Sequence, residues 1–65
     1  MELLLTQKLL IDGLKLFQVS QGKAMVVMML MDTEEKRWRM MKFMQDNLSA
    51  TEEKLVAEAY RIATK

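Results

Sequence analysis

Apolar residues in the first third of the chain recur at helical spacing on two stripes. One stripe contains Leu10 and Leu14, and a second, roughly opposite, contains Leu5, Leu9 and Leu16. Residues three or four apart share one face of a helix, so the pattern predicts a helix from about residue 2 to residue 19. A helix with two apolar faces is either central in a bundle or shared with another chain. We therefore expect the second stripe to contact a partner.

Residues 24–31 are apolar without interruption, so their periodicity does not separate a buried helix from a buried strand. We favour a short core helix, because methionine and alanine are good helix formers and no second strand is evident. The break before it lies at residues 20–22. There Gly22 is expected to end the first helix in a left-handed conformation, or Ser20 to cap the next helix.

Two capping-box patterns predict the starts of two further helices. Asp32 is followed three residues later by Glu35, and Ser49 by Glu52. The predicted helices run to about residue 47 and to about residue 64. The last one carries a single apolar stripe, which is typical of an ordinary amphipathic surface helix.

The third predicted helix is apolar over more than half of its circumference. One packing neighbour covers a narrower stripe than this, so part of the helix is expected to face a partner. Its candidate interface residues are Trp38, Met41, Met44 and Leu48.

These elements predict an all-α fold, a small bundle of three to four helices in a single domain covering residues 1–65. A chain of this length buries only about 60% of its surface on folding and usually needs disulfides, a metal or a partner chain. The sequence has no cysteine and no histidine. It has eight methionines, a residue that suits adaptable binding surfaces. We expect the protein to bind another protein or a second copy of itself.

Catalytic and cofactor chemistry have no candidate residues in this sequence. Histidine and cysteine are absent, and the paired acids at residues 34–35 and 52–53 lie in predicted first helical turns, where they support the helix dipole. We therefore expect no enzyme, cofactor, metal or small-molecule substrate. The one local basic cluster, a weaker candidate for nucleic-acid contact, consists of Lys36, Arg37, Arg39 and Lys42.

An alternative follows from the order of the last three elements. Residues 24–31, 33–46 and 50–63 are arranged like the strand, helix and helix of a ribbon-helix-helix repressor. That resemblance implies a dimer joined by paired strands that read DNA. In such repressors the strand alternates polar and core residues, whereas residues 25–31 offer no polar side chain.

The remaining patterns concern location. The first residues lack the basic region and cleavage site of a signal peptide, and the longest apolar run is far shorter than the roughly 18–20 residues that span a bilayer. The net charge of +1 gives no general attraction to membranes. We expect a cytoplasmic regulator, adaptor or inhibitor of bacterial or phage type.

Overall fold

Four α-helices form the part of the chain that the structure describes, residues 4–64 of a computed structural model. They are α1 (Leu5–Leu16), α2 (Gln21–Leu30), α3 (Glu34–Asp46) and α4 (Glu52–Ala63). No strand occurs among residues 4–64, so the prediction of an all-α bundle is confirmed. Residues 24–30 lie within α2, and the strand that a ribbon-helix-helix dimer requires is not formed there. The predicted helix start at residue 2 lies outside the described residues.

The turn between α1 and α2 is built on Gln18. The Gln18 N–H donates to the Lys15 carbonyl and the Val19 N–H to the Leu14 carbonyl, which is a Schellman motif. This motif needs a left-handed residue, and Gln18 has a φ of 59°. The expectation for Gly22 was wrong, because Gly22 lies inside the first turn of α2 without a positive φ. Ser20 is the N-cap residue, although its side chain makes no capping bond.

Threonines cap α3 and α4. Thr33 Oγ1 accepts a hydrogen bond from the Lys36 N–H at 3.2 Å, and Thr51 Oγ1 accepts from the Lys54 N–H at 3.3 Å. The capping boxes were therefore predicted at the wrong residue in both cases. The caps lie one residue after Asp32 and two residues after Ser49.

The helices pack as two hairpins placed side by side. α1 packs beside α2 and α3, and α4 packs beside α2 and α3, whereas within residues 4–64 the backbones of the diagonal pairs, α1 with α4 and α2 with α3, stay more than 8 Å apart between Cα atoms. Thr6 meets Arg37, and Gly13 lies against Met44, seven residues further along both helices. α1 and α3 therefore run parallel, with each residue of α1 beside the residue 31 positions later.

All four helices contribute to one core. Its buried side chains follow helical spacing in each helix, which fixes the face that each helix turns inward. The buried apolar residues are Leu10, Leu14, Val27, Met31, Met40, Met44, Leu55, Ala59 and Ile62.

Candidate interaction surface

An apolar groove of about 290 Å³ separates α1 from α3 on the outer side of the molecule. The parallel pairing of the two helices opens it, and Met44 forms its floor. A Cβ atom built on Gly13 would lie 3.0 Å from Met44 Cε, so the missing side chain lets α3 approach α1 closely. The groove is lined by Leu9, Gly13, Phe17, Trp38, Met41, Met44, Gln45 and Leu48.

Most of the predicted interface residues meet on this side of the molecule. Leu9 comes from α1, Trp38 and Met41 come from α3, and Leu48 comes from the turn that follows α3. Leu5 and Leu16 are exposed and lie on the same helical stripe as Leu9. We call these six residues (Leu5, Leu9, Leu16, Trp38, Met41 and Leu48) the α1–α3 face.

Met44 is placed differently from the prediction. It is 4% exposed, because it points from α3 toward Gly13 and joins the core. A side chain buried in this way supports the groove from below and offers little surface to a partner. The wide apolar arc of α3 is thus divided between core methionines and surface residues.

The α1–α3 face exposes large apolar side chains. Leu16 is 84% exposed, Leu48 77% and Trp38 52%. Contiguous apolar patches are uncommon on monomeric proteins and usually mark sites of interaction. Each leucine left in water forgoes the roughly 1.5–3 kcal/mol that full burial of such a side chain contributes.

Charged side chains border this face. Asp12 lies on α1 at the position between Leu9 and Leu16 on the same stripe, and it forms no ion pair with any described residue. On α3, Lys42 Nζ lies 3.7 Å from Asp46 Oδ2, and the Lys42 side chain is largely exposed. One acid on α1 and one base on α3 are therefore exposed on the two helices that form the groove, although neither side chain lines it.

Three of the four residues in the predicted nucleic-acid cluster are paired with acidic side chains of their own chain. Lys36 pairs with Asp32, Arg39 with Glu35 and Lys42 with Asp46, each one helical turn away. The hydrogen bond from Lys36 Nζ, at 3.1 Å, lowers the pKa of the Asp32 carboxyl below its ordinary value, with the charge of Lys36 adding to the effect. Arg37 points away from these three and is buried.

Arg37 ties α3 to α1 and to the end of α2. Its Nε donates to Thr6 Oγ1 at 2.9 Å and its Nη1 donates to the Met31 carbonyl at 3.0 Å, while only 4% of the residue is exposed. Sequence reasoning placed this arginine on the surface. The signal that marks it is its spacing, since Arg37, Met40 and Met44 fall on one helical stripe.

A second apolar groove, of about 440 Å³, lies between α1 and α2. It includes Met25, which is exposed, as is Met29 on the outer side of α2. The expectation that residues 24–31 are core was therefore only partly right: Val27 and Met31 are buried. The cause is the position of α2, which has neighbours on only two sides.

A third groove, between α3 and α4, is bordered by charged side chains. It includes Arg39, Lys42, Asp46, Glu58 and Arg61, and Arg61 is paired with Glu58. The side chains at this surface are therefore engaged with one another, unlike those of the α1–α3 face.

Residues 4–64 show no sign of a metal site or of a membrane-spanning helix. No group of three or more acidic, histidine or cysteine side chains that could hold a metal ion occurs there. None of the described helices is long and apolar enough to cross a membrane. Comparison with protein-family models, curated proteins and solved structures gave no match.

Proposed function

We propose that this protein is a small interaction module that binds another protein chain through the α1–α3 face and has no catalytic chemistry of its own. It would act as a regulator or inhibitor by occupying or altering its partner. The observation that carries the proposal is the exposure of Leu9, Trp38 and Leu48 around one groove, with Leu16 exposed on the same stripe of α1 as Leu9. A cytoplasmic location is part of the proposal, and the absence of cysteine from the sequence is compatible with it.

The buried floor of the groove supports this function. Met44 is held between Gly13 and the core, so the groove exists before any partner arrives. A groove that is already formed lowers the loss of conformational entropy when a partner binds. Aromatic side chains are frequent energetic centres of interfaces, and Trp38 stands at the edge of the groove.

The test is affinity capture with variants that alter the surface without altering the core. Leu16→Glu and Leu48→Glu place charges at positions that are already exposed, so both variants should keep the wild-type helical content and melting temperature. We expect them to lose, by at least about tenfold, the protein chains that the wild type retains, because a charge would be buried without a partner.

Met29→Glu is the matched control, since Met29 is 76% exposed on α2, away from the α1–α3 face. It should retain the same chains as the wild type. Equal retention by all three variants would contradict the proposal, as would a wild type that retains no chain, including copies of itself.

A further inference from the structure

The side-by-side arrangement of α1 and α3 makes the α1–α3 face self-complementary. Resting on the function proposed above, we propose that its partner is a second copy of this chain. The two copies form a two-fold dimer in which α1 of each lies over α3 of the other, running in the same direction. The apolar residues of one helix then cover those of the other.

The register follows from contacts within one chain. Thr6 bonds to Arg37 and Gly13 lies against Met44, so each residue of α1 is level with the residue 31 positions later in α3. A two-fold axis parallel to the helices preserves both level and direction. It therefore places each residue of α1 over the residue of the second copy that is 31 positions later.

The apolar side chains match in this register. Trp38 of the second copy falls between Leu5 and Leu9, because position 38 is level with position 7. Leu48 of the second copy, level with position 17, falls beside Leu16. The exposed apolar residues of α1 thus meet those of the α3 side, and the two-fold axis repeats each contact once.

The charges match in the same register. Lys42 of the second copy is level with position 11, next to Asp12, which has no ion pair with the described residues of its own chain. Lys42 lies 3.7 Å from Asp46 of its own chain, and this exposed pair leaves the lysine accessible to a second carboxylate. The axis repeats this contact, so two Asp12–Lys42 pairs border the interface. An antiparallel dimer would stack α1 on α1 and α3 on α3, and these two residues would then not meet.

The dimensions of the molecule allow such a dimer. A standard interface takes about 800 Å² from each partner. That is about one sixth of the 4757 Å² accessible surface of the described structure. One side of a roughly block-shaped molecule, measuring 31 × 25 × 21 Å along its principal axes, supplies an area of this size.

Exchange of the two charges tests the register. Sedimentation equilibrium should show a dimer for the wild type. Asp12→Lys and Lys42→Glu each place like charges together, and each should weaken the dimer by about tenfold or more. The double variant Asp12→Lys/Lys42→Glu restores opposite charges and should dimerise like the wild type. An equimolar mixture of the two single variants should form the heterodimer, as measured by native mass spectrometry.

Lys54→Glu is the matched control, because Lys54 is exposed on α4, has no ion pair with the described residues and lies away from the face. It should leave dimerisation unchanged, and circular dichroism should show that every variant is folded. A monomeric wild type would overturn this inference, as would a double variant that remains as weak as the single ones. If Leu16→Glu nevertheless abolishes the capture of a different protein, the proposed function stands without the dimer.

Discussion

Arg37 is a buried cation that forms no ion pair with a described carboxylate. It is tolerated because the Thr6 hydroxyl and the Met31 carbonyl accept its hydrogen bonds. Replacing it by methionine would leave both acceptors unpaired inside the protein. We expect Arg37→Met to lower the free energy of unfolding by about 3 kcal/mol, measured by urea denaturation. That is a large part of the roughly 3–10 kcal/mol expected for a domain of this size.

Arg39→Met provides the comparison for Arg37→Met. Arg39 lies on the same helix, and its pair with Glu35 is exposed to solvent. Exposed pairs contribute little to stability, so this variant should unfold close to the wild-type midpoint. Equal midpoints for the two variants would show that the hydrogen bonds of Arg37 do not stabilise the fold.

Gln18 occupies a backbone conformation that suits glycine better. Its φ of 59° brings Cβ close to the following carbonyl, at a cost of roughly 1–2 kcal/mol for an L-residue. Gln18→Gly should therefore raise the free energy of unfolding by about 0.5–1 kcal/mol in thermal denaturation. Gln21→Gly, at the first position of α2 where no left-handed residue is needed, should lower it. A destabilised Gln18→Gly variant would contradict the assignment of this turn.

At the scale of single helices, the threonine caps can be tested directly. Thr51 Oγ1 holds the Lys54 N–H, so Thr51→Ala should cost about 1 kcal/mol of stability. Ser49 lies in the turn before the cap and makes no capping bond to α4. Ser49→Ala should consequently leave the denaturation midpoint unchanged. The opposite order of effects would place the cap at the residue predicted from sequence.

Glu52 joins the first turn of α4 to the first turn of α2. Its Oε1 accepts a hydrogen bond from the Ser20 N–H at 3.1 Å, and its Oε2 lies 3.7 Å from Lys23 Nζ. The hydrogen bond, followed by the charge of Lys23, lowers the pKa of the Glu52 carboxyl below its ordinary value of 4.5. A carboxyl whose pKa is lower in the folded state stabilises the fold at pH values above its pKa in the unfolded state. That stabilisation is lost as the pH falls through the pKa of the folded state.

The melting temperature of the wild type should accordingly fall as the pH is lowered below about 4.5. Glu52→Gln should remove part of that fall, because its amide does not titrate. Glu34→Gln is the control, since Glu34 also lies in a first helical turn but forms no ion pair with the described residues. An identical dependence on pH in all three proteins would contradict the role of Glu52.

Helical periodicity predicts where the helices lie but not which residue caps each of them. The spacing of Leu10 and Leu14 predicts α1 and its buried face. The caps at Thr33 and Thr51 were displaced in the prediction because each helix is preceded by several residues that are all good caps. Only the backbone conformation at each of them decides which one accepts the bond.

Across the whole molecule, the dimer proposed above makes stability depend on protein concentration. Association with the folded state alone raises the melting temperature by mass action. We expect a higher melting temperature at about 200 µM than at about 2 µM for the wild type, and a smaller difference for Asp12→Lys. Differential scanning calorimetry at the two concentrations gives the measurement. A melting temperature independent of concentration would contradict a folded-state dimer.

The neighbours of each helix were not predictable from periodicity. An apolar stripe shows which face of a helix is buried but not which helix covers that face. The sequence therefore did not predict that α1 packs against α3. The burial of Arg37 depends on that pairing, because its acceptors lie on α1 and at the end of α2. The same holds for Met44, whose burial requires Gly13 opposite it.

The 31-residue offset between α1 and α3 also bears on how the chain folds. The turn at Gln18 joins neighbours in sequence, whereas Arg37 and Thr6 must find each other across 31 positions. Closing that distance costs chain entropy before any contact compensates for it. We therefore expect docking of the two hairpins to be the slow step. Changes at the Arg37–Thr6 contact, and changes within a hairpin that forms before docking, should both slow folding more than they accelerate unfolding.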